Sequence, residues 1–166
     1  PPPPDTSPGA ALYGWERKGA AQLRHRHVFL GRLVKLIRTD HPRLWSELLE
    51  AGAREFTFED GLSPHLKPKY KYQAGDEDMS MLFSRRTTLE LIMRRYAQSL
   101  PGVTFLSNVG IRGITTARRD GQLAVTGLRV DMDGHEQVME ADIVVDATGR
   151  TTQFPDWLAT EGVTSP

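Results

Sequence analysis

The sequence predicts a mixed α/β chain built around a three-stranded antiparallel meander, and three observations predict it. Leu89, Ile92, Met93, Tyr96, Ala97 and Leu100 recur at helical spacing and give the stretch 86–100 a single apolar stripe. After Pro101-Gly102 the period changes to alternation, punctuated by Asp120-Gly121 and Asp133-Gly134, dipeptides favoured by two-residue hairpins. The continuous run Ile143-Val144-Val145 then reads as a strand buried on both faces, as in a parallel sheet covered by helices.

Taken in order, Pro1-Pro2-Pro3-Pro4 and Ser7-Pro8-Gly9 make 1–16 a polyproline-prone leader or linker without apolar periodicity. Phe29, Leu30, Leu33, Val34, Leu36 and Ile37 recur at helical spacing, Pro42 interrupts, and Leu44, Trp45, Leu48 and Leu49 give a second helix ended by Gly52. The stretch from Glu55 to Met81 is the least periodic. Phe56 and Phe58 alternate there, Pro64 and Pro68 break it, and Lys69-Tyr70-Lys71-Tyr72 is basic and aromatic, which predicts short strands and loops. Thr87-Thr88-Leu89-Glu90 fits a capping box for the next helix, which starts within a turn of Arg85 and Arg86. Alternation predicts strands over 103–106, 109–117, 123–132 and 135–140.

The 166 residues suffice for one domain with a core, and the 39% hydrophobic and 25% charged content is that of a globular chain. A formal net charge of zero removes any global pull towards polyanions, so an anionic partner must be argued from local clusters. The absence of cysteine excludes disulfides and thiolate metal sites and is compatible with the cytoplasm, the expected location. No run approaches the roughly 20 apolar residues of a membrane span.

A buried strand ending in Ala147-Thr148-Gly149 brings backbone close to something: small side chains permit close approach, and ligands of open α/β sheets sit at strand carboxyl ends. The segment Asp142 to Arg150, followed by Pro155-Asp156-Trp157-Leu158, resembles a segment of the FAD-dependent oxidoreductases called group A flavoprotein monooxygenases, the aromatic hydroxylases and polyether epoxidases. Two more segments agree in order. The basic loop from Arg17 to His27 is similar to the Gln/His loop after that family's first βαβ unit, and Ser84-Arg85-Arg86-Thr87-Thr88-Leu89-Glu90 resembles its Ser-Arg-x-x-Leu-Glu helix start.

The resemblance implies a partial FAD-binding fold of the two-dinucleotide-binding type over 17–166, with a substrate-side strand and loop region at about 54–82. It implies FAD contacts at Arg24, His25, Arg85 or Arg86, Val109 and the turn Asp146, Ala147, Thr148, Gly149 and Arg150. Phe56, Phe58, Tyr70 and Tyr72 would lie towards the substrate. The implied activity is hydroxylation or epoxidation of a small organic molecule with NAD(P)H and oxygen. In such enzymes the cofactor carries the hard chemistry, so no catalytic side chain is singled out. A flavin-dependent reductase or halogenase on the same scaffold, or a non-enzymatic anion-binding module, are the alternatives.

Departures from the family matter as much. The G-x-G-x-x-G turn that holds the FAD pyrophosphate occurs nowhere in the chain, nor does the family's later Gly-Asp segment, and Leu23 stands where relatives carry glycine. Both missing segments fit an excerpt of a longer protein that does not hold FAD tightly by itself.

Other clusters read more simply. The stretch 17–43 holds eight Lys or Arg, of which Arg32, Lys35 and Arg38 suit a solvated helix face, while Arg24 and Arg26 could lend fixed donors to a phosphate. The patch lacks interleaved stacking aromatics, so no nucleic-acid partner is expected. His25 and His27 have no identifiable third ligand, so no metal is expected. Asp131, Asp133 and Glu136 superficially suggest a calcium loop, but Gly134 comes too early and a hairpin turn accounts for them.

Overall fold

A computed structural model describes residues 5–16, 22 and 24–163. The opening proline run, residues 17–21 and Leu23 of the basic loop, and the last three residues lie outside that set. The chain is mixed α/β with two antiparallel three-stranded sheets and divides into two compact units, Pro1–Phe105 and Leu106–Pro166. No helix among the described residues is long and apolar enough to cross a membrane.

The first unit opens with α1 (Pro8–Gly14), continues through β1 (Arg26–Phe29), α2 (Gly31–Asp40), α3 (Pro42–Glu50) and β2 (Arg54–Phe56), and closes with β3 (Met81–Arg85) and α4 (Arg86–Gln98). Strand β3 is central and pairs antiparallel with both neighbours, with Val28 opposite Phe83 on one side and Glu55 opposite Leu82 on the other. Leu82 is fully buried against Val34, Ile37, Leu44, Leu48, Leu89 and Ile92, which places α2, α3 and α4 on one face of the sheet. Each such leucine contributes about 2 kcal/mol by leaving water. Arg38 of α2 reaches back over this layer to Glu55 and Ser80 and stacks on Trp45, its guanidinium 4.8 Å from the ring centroid.

Several expectations are corrected here. The leader is helical from Pro8: Ser7 caps α1 by accepting from the Ala10 amide at 3.2 Å, proline suits a first helical position, and Ala11 and Trp15 bury against Leu91. Phe29 belongs to β1 rather than to the next helix, because its backbone pairs with Leu82 and Leu30 is extended. The capping box does not form. Helix α4 begins at Arg86, so Thr87 is inside the first turn and buried, while Glu90 pairs with Arg86 at 2.7 Å, one turn earlier. The stretch 103–106 is not a strand, since nothing described pairs with it; Phe105 instead lies under Arg94, 4.7 Å from the guanidinium.

The second unit holds β4 (Val109–Arg119), β5 (Gln122–Met132), β6 (His135–Glu140) and the short α5 (Phe154–Thr160). The expected meander is present in sequential order. Both Asp-Gly pairs form its turns, with φ of 52° and 79° at Asp120 and Gly121 and 53° and 82° at Asp133 and Gly134. Two left-handed residues in succession give the turn whose twist matches an antiparallel hairpin. Asp131 accepts from the Gly134 amide and from Arg112, so the acidic cluster is a turn clamp. Val130 and Ile114 are the buried centre of this sheet, and α5 packs against β4, where Thr116 bonds Glu161 at 2.8 Å.

Close packing in the first unit centres on Gly31. A Cβ built there would lie 1.9 Å from the Asp78 carbonyl oxygen, a backbone atom that cannot rotate away, and the same loop is tied to α2 by Lys35 and Asp78 at 2.7 Å. Gly31→Ala should destabilise the unit by about 2 kcal/mol. Gly9→Ala, where a Cβ meets nothing within 4 Å, should not destabilise it. Urea melts of the two variants separate these outcomes.

Candidate functional site

In the second unit the candidate site forms where the chain leaves the sheet. The last ladder bond runs from the Ala141 amide to the Thr126 carbonyl at 2.9 Å, after which 143–148 carries no regular structure. The expected buried parallel strand is therefore corrected. Ile143 and Val145 are 81% and 82% exposed, because no described strand supplies the ladder that would bury them, and only Val144 turns partly inward.

The Ala147-Thr148-Gly149 turn is held by Asp146. One carboxylate oxygen accepts from the Thr148 amide at 2.9 Å and the Thr148 hydroxyl at 2.6 Å, and the other accepts from the Thr152 hydroxyl. This closed set of bonds is an Asx turn, in which the side chain mimics a backbone turn. The hydroxyl bonds from Thr148 and Thr152, reinforced by the Thr148 amide, hold the Asp146 carboxyl below the usual carboxylate range. Gly149 follows with φ of 82°, and nothing lies within 4 Å of where its Cβ would stand. Backbone is thus presented bare on that side, at a conformation a side chain would strain.

Beside the turn is a pocket of about 410 Å³, within the size range of small-molecule sites. Its walls include Ile111 and Leu128 from the sheet, Val144 and Ala147 from the departing segment, and Phe154 and Trp157 from α5. The two aromatic rings stand 6.1 Å apart at 59°. Its polar lining comes from Asp146, Thr148, Thr151, Thr152 and Gln153, with the Thr148 and Thr152 hydroxyls donating to the Asp146 carboxylate. Such a cavity suits a flat, largely apolar group with one polar edge. Val109 stands at the start of β4, opposite Met132 and two residues from Ile111, and does not line the pocket. Arg150 is exposed, without an ion pair among the described residues.

In the first unit the structure joins the other expected cofactor residues. The Arg86 amide donates to the His25 carbonyl at 3.1 Å, which fastens the end of the basic loop to the start of α4. Arg24 reaches the Tyr13 carbonyl at 3.5 Å. Of the two arginines at the helix start, Arg86 is committed to Glu90, whereas Arg85 is exposed and has no ion pair among the described residues.

The four expected substrate-side aromatics are held by ring contacts and phenol hydrogen bonds within the first unit. Phe56 packs edge-on against Phe83 with centroids 5.5 Å apart, and Phe58 tilts onto Tyr70 at 5.8 Å. Tyr70 donates to Asp76 at 2.5 Å, which pushes its pKa up to about 12, and Tyr72 donates to Glu77. These phenols close a loop. Sequence reading missed Thr152, Phe154 and the pocket-facing role of Trp157; the aromatic spacing Phe154-x-x-Trp157 beside Pro155, which suits a helix start, was the available signal.

Compared with family models and with curated protein sequences, the chain gives no match.

The Asp146 clamp has a pH signature. A carboxyl whose folded pKa is lowered stabilises the turn fully above its unfolded pKa and loses that contribution as pH falls through the folded value. Protection of the Thr148 amide from hydrogen exchange should persist through neutral pH and disappear only below the usual carboxylate range. Asp146→Ala should remove it at pH 7 while the amides of β4 and β5 keep theirs, as followed by NMR.

Proposed function

We propose that the chain is part of an FAD-dependent oxidoreductase, a cytoplasmic monooxygenase that hydroxylates or epoxidises a small organic substrate with NAD(P)H as electron donor. The observation that carries this reading is the Gly149 turn. A left-handed glycine with open space at its Cβ position, in a turn that Asp146 clamps through Thr148 and Thr152 and whose Ala147 and Thr148 line the neighbouring pocket, is what close approach of backbone to a flat cofactor requires. The three ordered sequence segments add to it.

The residues present are compatible with this cofactor. Ala147 and Thr148, which line the pocket, would offer backbone and a hydroxyl, and Gly149 beside them a stretch of backbone with no side chain in the way. When bound, FAD would accept reducing equivalents from NAD(P)H and support oxygen transfer. The protein's own contribution is positional. Asp146 fixes the turn, and the Ile111, Phe154 and Trp157 walls exclude water from one side of it.

The test compares Gly149→Val with Arg150→Ala in the complete gene product. FAD titration by flavin fluorescence, run beside denaturant melts of the apo forms, should show Gly149→Val weakening FAD by more than about tenfold beyond any stability loss, since valine both strains the turn and obstructs approach. Arg150→Ala should change it little. Unchanged affinity in a folded Gly149→Val variant would sink the reading.

A further inference from the structure

The register of the first sheet sets its two faces apart. Residues directly opposite one another project to the same side, and alternate residues along a strand share it. Leu82 lies on the helix-covered side together with its partners Phe29 and Glu55. The other side therefore carries a grid in three rows: Arg26 beside Arg85, then Val28, Phe83 and Arg54, then Met81 beside Phe56.

Two features of that grid are unusual. Arg26 and Arg85 stand directly opposite across the β1–β3 pair, an arrangement of like charges that destabilises a sheet. Arg54 is beside Phe83, one diagonal step from Arg85. None of the three arginines makes a salt bridge or side-chain hydrogen bond among the described residues. The acid on their strand that could serve, Glu55, faces the opposite side and is engaged by Arg38. Next to the arginines, Val28 and Phe83 are 37% and 36% exposed, and Phe56 packs its ring edge-on against Phe83, so an apolar floor adjoins the charge.

We propose that this face binds an aromatic carboxylate, with Arg26, Arg54 and Arg85 around the anion and the ring laid over Val28 and Phe83. Guanidinium groups match a carboxylate in bidentate fashion, and a bound anion converts the Arg26–Arg85 repulsion into two attractions. The aromatic part follows from the floor. A fully hydrated anion would leave Val28 and Phe83 in water, whereas a ring covers them. The site does not rest on the flavin reading: Arg85 is shared with the FAD contacts that the resemblance implies, but Arg26, Arg54, Val28 and Phe83 are not, and no cofactor enters the test.

The experiment titrates the full chain, without FAD, with 2-naphthoate and follows probe fluorescence, using neutral 2-naphthol and inorganic phosphate as comparisons. Saturable 2-naphthoate binding is expected, with 2-naphthol at least about tenfold weaker and phosphate unable to displace the probe at equal concentration. Arg26→Gln and Arg54→Gln should each weaken 2-naphthoate about tenfold while keeping the parent's circular dichroism, since both are exposed strand positions. Equal binding of 2-naphthol, displacement by phosphate at equal concentration, or parent-like affinity in both glutamine variants would overturn the proposal.

Discussion

A three-stranded sheet can bury one face with the helices of its own unit and leaves the other to whatever comes next. Most of this chain's surface chemistry follows from that limit. In the first unit, α2, α3 and α4 crowd Leu82 and its neighbours on one side, so the far side keeps aliphatic, aromatic and guanidinium groups in the open. In the second unit the short α5 packs against β4, and a cavity lies beside it. Both surfaces considered as sites are the uncovered remainder of a small sheet.

Carboxylates do a different job in the irregular stretches. Asp60 takes the Thr57 amide and hydroxyl, Asp76 takes the Gln73 amide and the Tyr70 hydroxyl, Asp131 takes the Gly134 amide, and Asp146 takes the Thr148 pair. Every one of these bonds closes over a few residues. Being exposed, each adds little to global stability, but each fixes the local path of a loop that has no apolar stripe to place it. Within this set, the order of the loop 57–79, where no residue is buried, has this origin rather than a core.

Where periodicity or turn chemistry acts locally, the sequence was a good guide. The apolar stripe of α4, the proline at the head of α3 and the two Asp-Gly turns all have causes contained within a few residues. The failures share the opposite property. Phe29 sits in an apolar helical stripe yet pairs with Leu82, a partner far along the chain, and Trp15 is buried through contact with α4. Ile143-Val144-Val145 has the composition of a buried strand, but burial depends on neighbouring strands, which composition does not contain. At the candidate site, the glycine turn was legible because left-handed backbone favours glycine. The carboxylate clamp was not, because Asp146 and Thr152 are joined only once the chain has folded back.

The two sheets also differ in how they can be assembled. In the second unit each strand meets its partner across a two-residue turn, so pairing begins with the smallest loop the backbone can close and spreads like a zipper. In the first unit β1 must wait for β3, with α2, α3, β2 and the whole 57–80 loop strung between them. Closing a long loop carries its entropy cost before any contact is made, and folding rates fall as partners grow more distant in sequence. The later-translated unit is therefore the one able to fold first once it is free of the ribosome, and the slow step of this chain belongs to the pairing of Arg26–Phe29 with Met81–Arg85.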